Sequence, residues 1–187
     1  MTKTALPPAW EMALLSLREA KSRVPSRVSI HEVPAPREIA PYAVAVGAQT
    51  QVHAAAQSPA AGRLVVLFDP DEQPNWGGRF RVIGMLSTEA ELEMGEDPLA
   101  GEVAWSWLGD SLDQREVEYQ HLVGTATATI NRAFSGSQLR ESTSTLEIRA
   151  SWTPQSPDLS AHLLAWLDTM LQATGLSPED NVTQLRH

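Results

Sequence analysis

Apolar residues at Trp10, Ala13, Leu14 and Leu17 recur at helical spacing behind Pro7 and Pro8, which predicts a first helix over residues 8–21 entered through a proline that the first turn tolerates. Prolines at 25, 34, 36 and 41 then leave room only for a short edge strand over residues 28–33. Three runs rich in valine, leucine and aromatic residues, 42–54, 63–68 and 79–86, are bounded by Gly, Pro or Asp and predict strands. Ser87 or Thr88 caps a short acidic turn through Met94, and Asp97 before Pro98 opens a second helix over residues 98–113. Thr125, Thr127 and Thr129 alternate with Ala126, Ala128 and Ile130, and Thr143 to Trp152 alternates in the same way. With Ser135, Gly136 and Ser137 between them, strands 119–134 and 143–152 form an antiparallel hairpin. A last helix starts at Ser156 or Asp158, carries Leu159, Leu163, Trp166, Leu167, Met170 and Leu171 on one stripe, and ends at Gly175.

Read in order, α-β-β-β-α-β-β-α, these elements predict an α+β domain: an antiparallel sheet of about five strands, helices packed on its one apolar face, and a polar opposite face. The expected core is Leu14, Leu17, Val66, Val82, Trp107, Ile130, Ile148, Leu163, Leu167 and Met170. By analogy of element order alone, small secretion-chaperone-like domains that pair into dimers share this arrangement.

A chain of 187 residues fits one domain, placed at residues 6–178, with a flexible tail over 179–187. The absence of cysteine removes thiol nucleophiles, thiolate metal sites and disulfides, which fits a reducing compartment. No secretory signal or membrane-length apolar run is present, so a cytoplasmic chain with no membrane partner is expected. Two lysines among fourteen basic residues and abundant alanine suggest a high-GC bacterial genome.

Charge changes the picture more than size does. Of the formal net charge of -9, the whole excess sits between Glu89 and Glu118, where ten acids face one base, Arg115. The rest of the chain is a neutral body. Such a flank repels phosphate backbones, which removes nucleic acid as the expected ligand, and attracts a basic partner.

Tests for chemistry are mostly negative. His31, His53, His121, His162 and His187 are never within four residues of one another, so no metal site is expected, and His162 reads as a surface helix contact. No phosphate-cradling glycine loop and no nucleophile elbow occurs, and no cofactor is expected. The segment 69–78, with Asp69, Asp71, Glu72 and Asn75, has the wrong spacing for a calcium loop and reads as a proline-shaped turn capped by Trp76. His121 or His53 would have to supply acid and base in an enzyme, and no spacing recommends a pair. No residue is assigned a catalytic role.

Several strings are distinctive: Ile30-His31-Glu32-Val33-Pro34-Ala35-Pro36 with Ala40-Pro41-Tyr42; Asp69-Pro70-Asp71 before Trp76 and Gly78; Asp97-Pro98-Leu99 leading to Trp105-Ser106-Trp107-Leu108; and Leu146 through Pro154 with its Arg149-Ala150-Ser151-Trp152-Thr153-Pro154. Together, over residues 6–178, they resemble an actinobacterial family catalogued as domain of unknown function 3000. The resemblance implies source and single-domain extent and supplies no catalytic residue.

Two functional expectations follow. The first is a non-enzymatic interaction domain, adaptor- or chaperone-like, that holds a protein partner or a second copy in a homodimer through the second helix, using Trp105, Trp107, Glu102, Asp110 and Asp113. On that helix the polar positions share one side, and the two indoles stand about 160° apart, so both cannot press on one flat sheet and one must find another surface. The second is a small anionic ligand, or an enzyme substrate, held on the polar sheet face by Arg79, Arg81, Arg149 and Trp76, where guanidinium groups converge on a carboxylate or phosphate.

Overall fold

The computed structural model describes residues 5–51 and 59–175. In chain order these form α1 (Pro8–Ala20) with one 3-10 turn behind it (Lys21–Arg23), β1 (Val28–Val33), β2 (Tyr42–Thr50), β3 (Ala61–Phe68), β4 (Phe80–Ala90), α2 (Leu92–Glu96), α3 (Ala100–Gln114), β5 (Tyr119–Ser135), β6 (Gln138–Pro154) and α4 (Ser160–Ala173). The class is the expected α+β, with six strands rather than about five, in the spatial order β1-β2-β3-β4-β6-β5. Every neighbouring pair is antiparallel. No described helix is long and apolar enough to cross a membrane.

Boundaries moved where polar residues hid a strand. β4 continues to Ala90, pairing with Ser144 of β6, because the Ser87, Thr88 and Glu89 stretch still alternates inward and outward. The acidic turn expected from Ser87 or Thr88 to Met94 is therefore the end of a strand followed by the short helix α2. β6 begins five residues before Thr143, and those residues pair with β5 alone. Positions 52–54 of the expected second strand, Leu176 and the 179–187 tail lie outside the described residues.

α4 is the centre of the helical layer. It touches α1, α3 and strands β2, β3 and β4, and from His162 to Leu171 every side chain is buried. Its Trp166 lies over Gly62 and Gly84: a Cβ on Gly62 would stand 2.7 Å from Trp166 Cζ2 and 2.6 Å from the Met85 carbonyl, and one on Gly84 would stand 2.9 Å from Trp166 Nε1. Two missing side chains make the bed for one indole. A second indole, Trp152, donates Nε1–H to His162 Nδ1 at 2.9 Å. His162 is thus core rather than the surface contact expected of it, at 3% exposure, and burial holds its imidazole down at about 4. Arg115, just past α3, donates to both carboxylate oxygens of the buried Asp168 (2.7 and 3.1 Å), tying the helices together. That bidentate pair satisfies the only formal charge in α4.

Of the expected core, Leu17, Val66, Val82, Ile148, Leu163, Leu167 and Met170 are buried, while Leu14, Trp107 and Ile130 are half-buried at its margin. The opposite sheet face is not wholly polar. Ala45, Val65 and Leu67 form a second small core there, covered by Ala35, Ala40 and Trp76. The proline-rich segment is held in place by Arg63 donating to the Pro34 carbonyl and by Gln73 donating to the Ile39 carbonyl (2.8 Å).

Candidate functional site

α3 contributes three of the five residues expected to meet a partner on its outward side. Its buried stripe is Ala100, Ala104, Leu108, Ser111 and Leu112, and α4 and β5 are the elements it packs on. Trp105 and Trp107 border that stripe on opposite sides, and both are half-buried against the main core. A helix seated between two supports accepts an indole on each flank, which a flat sheet would not allow. Neither indole stands free, then, and the outward side is left to Glu102, Ser106, Asp110 and Asp113, all exposed, with Leu99 and Val103 exposed beside them.

Two close approaches and one charge effect show how α3 lies along β5. A Cβ on Gly101 would meet the Ala126 carbonyl at 3.4 Å, and one on Gly124 would meet Trp105 Cη2 at 2.8 Å. At the far end, burial first and then the charge of Asp113 push the Tyr119 phenol up. The helix therefore runs antiparallel to the strand from Ala126 back to Tyr119. None of the ion pairs among the described residues involves Glu102, Asp110 or Asp113. Elsewhere on the acidic flank Glu96 pairs with Arg132 (3.0 Å), and Asp97 Oδ1 accepts from the Leu99 N–H (2.8 Å) just ahead of α3.

Beyond the Ala90–Ser144 pair, β5 and β6 continue as a two-stranded arm to a turn at Gly136 and Ser137. Six residues of β6, from Gln138 to Thr143, correspond to about 20 Å. Near its tip Phe134 and Leu139 oppose each other and are 61% and 53% exposed.

The residues expected to hold an anionic ligand are not brought together. Arg81 is buried, and its guanidinium donates to the His121 carbonyl (3.1 Å), Thr153 Oγ1 (2.9 Å) and Ser151 Oγ (2.7 Å). Desolvation lowers its pKa. It pins a bulge in β5, where His121 takes a left-handed φ of 53° and its ring lies against Gly77. Thr153 in turn donates to the carbonyl of Trp76, whose ring belongs to the second core. Arg149 pairs with Glu147 on an exposed stretch of β6. It lies opposite Met85, four residues along β4 from Arg81, or about 13 Å. Arg79 is exposed and sits 6.0 Å from the Phe68 ring centroid. Arg81→Leu is expected to cost about 2 kcal/mol by stranding three acceptors, with faster amide exchange around residues 120–123; Arg149→Ala is expected to change stability by no more than about 0.5 kcal/mol. Chemical denaturation of both variants checks the contrast.

Sequence reasoning also passed over a concavity beside α1. A cleft of about 280 Å³ opens between α1 and the β1–β2 edge, floored by Leu14, Ile30, Val44 and Val46, with Arg18, Lys21 and Glu32 also lining it. It is at the lower limit of small-ligand sites. Among the described residues no cluster of His, Asp and Glu has the arrangement of a metal site.

The family model described as protein of unknown function DUF3000 matches residues 6–183. The chain belongs to that family. The DUF3000 match takes in every element from α1 to α4, so the helical layer and the acidic flank lie within the family's own extent. No curated protein and no solved structure matches the chain, and the analogy to secretion chaperones gains nothing from these comparisons.

Proposed function

We propose that this DUF3000 chain is a cytoplasmic, non-enzymatic interaction domain, adaptor-like in action, that holds a basic protein partner against the outward side of α3. The observation that carries the reading is the row Glu102, Asp110 and Asp113: exposed, without ion pairs among the described residues, and set on a helix whose opposite side is anchored in the core. Exposed acids on a rigid support steer a basic partner and set its choice more than they add affinity. Trp105 and Trp107 act in this reading as anchors that hold the acidic side outward, and not as contact residues.

The test uses the full chain as bait in the cells that make it, with a differently tagged second copy present. The wild type is expected to retain a reproducible protein partner that elutes at raised salt, and the Glu102→Lys, Asp110→Lys, Asp113→Lys variant to lose it. Equal recovery by both baits would overturn the reading.

A further inference from the structure

We propose that the partner adds to the sheet as a strand along the free edge of β5, beneath the acidic side of α3, as an extended segment with basic residues turned toward the helix. This rests on the interaction reading above and names how the partner sits.

The two edges of the sheet are treated differently. β1 is six residues long, is bracketed by Pro25 and Pro34, and carries Glu32 at its end, which are the ordinary guards against a strand joining an edge. β5 is seventeen residues long and has its one strand neighbour, β6, on one side only. From Val123 to Asn131 it holds no charged residue and no proline, and its threonines, valine and isoleucine are strand formers. A bulge between Gln120 and Val123 and a second irregularity between Ala133 and Phe134 bracket this stretch and leave it regularly paired between them. A row of backbone donors and acceptors of that length is a template for main-chain pairing.

The second observation selects the occupant. α3 runs over β5 from Ala126 to Tyr119, which places Glu102 toward the Ala126 end and Asp113 toward Tyr119, with Asp110 between them, so the acids overlap the start of the regularly paired stretch of edge. A second β5 brought to this edge would bring a second acidic helix with it, and like charges would oppose the pairing. A strand whose alternate side chains are lysine or arginine meets carboxylates instead, and its other side chains extend the threonine-bearing face of Thr125, Thr127 and Thr129.

The probe is a short blocked peptide of alternating lysine and valine, added to the full chain at low salt, with amide exchange and fluorescence anisotropy as readouts. Expected are protection of alternate β5 amides between Val123 and Asn131, affinity about tenfold weaker in the Glu102→Lys, Asp110→Lys, Asp113→Lys variant, and no binding by the same peptide fully N-methylated. The melting temperature of the variant, unchanged within a few degrees, keeps its loss of binding from being a loss of fold. Binding that depends on the three acids, survives N-methylation and protects no β5 amide would overturn the strand-addition inference while leaving the acidic-face reading intact. Binding indifferent to the three acids, or none, would overturn both. Protection together with a peptide-induced or concentration-dependent dimer of the chain would assign the edge to a second copy and overturn the inference.

Discussion

Gly62→Ala is expected to cost the domain about 3 kcal/mol and to lower its melting midpoint by roughly 6–12 °C. The new methyl group would meet the Met85 carbonyl at 2.6 Å and the six-membered ring of Trp166 at 2.7 Å. The carbonyl belongs to the backbone of β4, paired in register with β3, so it cannot retreat without parting the two central strands. The indole has no freer position, because Trp166 is 2% exposed in a helix that is buried almost all round. Gly109→Ala supplies the opposite sign. Nothing lies within 4 Å of its Cβ position in α3, so the same methyl group should stabilise the protein by up to about 1 kcal/mol through helix propensity. Thermal melts of the two variants measure both, and a Gly62→Ala protein that melts with the wild type would mean that Trp166 is not seated on β3.

The strands were readable because alternation survives wherever one face is wet: Thr125 to Ile130 and Thr145 to Trp152 could be assigned to faces residue by residue, and the register pairs them as that alternation requires. Other signals were present and read too narrowly. Leu64 to Phe68 is a continuous apolar run, the mark of a strand covered on both faces, and it lies where the second core forms. α4 has one formal charge in fourteen residues, the mark of a helix buried all round rather than one with a wet face beside His162.

What remained illegible depends on contacts between distant segments. Period two puts Arg81 on the polar face correctly, yet its burial comes from the Trp76 loop and from a bulge at His121, neither of which a local pattern specifies. The two indoles of α3 are a similar case. Their 160° separation follows from the sequence, but whether both find cover depends on a helix lying between β5 and α4, which is a matter of packing. The open edge of β5 could not be seen either, because strand order, unlike strand content, is not written in hydrophobic periodicity.

Stability is expected to fall by about 3 kcal/mol as pH drops from 6.5 to 4, and His162 is the cause. In the fold its ring is neutral, buried, and accepts the Trp152 indole N–H through Nδ1, so burial lowers its pKa to about 4 from an ordinary 6.5, with the nearby Asp158 charge recovering a little of the shift. Above 6.5 both folded and unfolded chains hold the ring neutral, and the contribution is at its full value. Between 6.5 and 4 the unfolded chain takes up a proton that the native core refuses, and each pH unit removes about 1.4 kcal/mol. Below about 4 the native ring also protonates, losing its place as acceptor, and this group's slope flattens. Asp158 cannot be mistaken for the source. Its carboxyl is held below the usual range by the Ser160 hydroxyl and N–H, so its contribution is present above the ordinary carboxylate value and is lost only at the acid end of the same titration. His162→Gln keeps an acceptor for the Trp152 indole and removes the titrating group. Urea midpoints measured between pH 7 and 4 should slope in the wild type and run flatter in that variant, and parallel slopes would place the acid-sensitive group elsewhere.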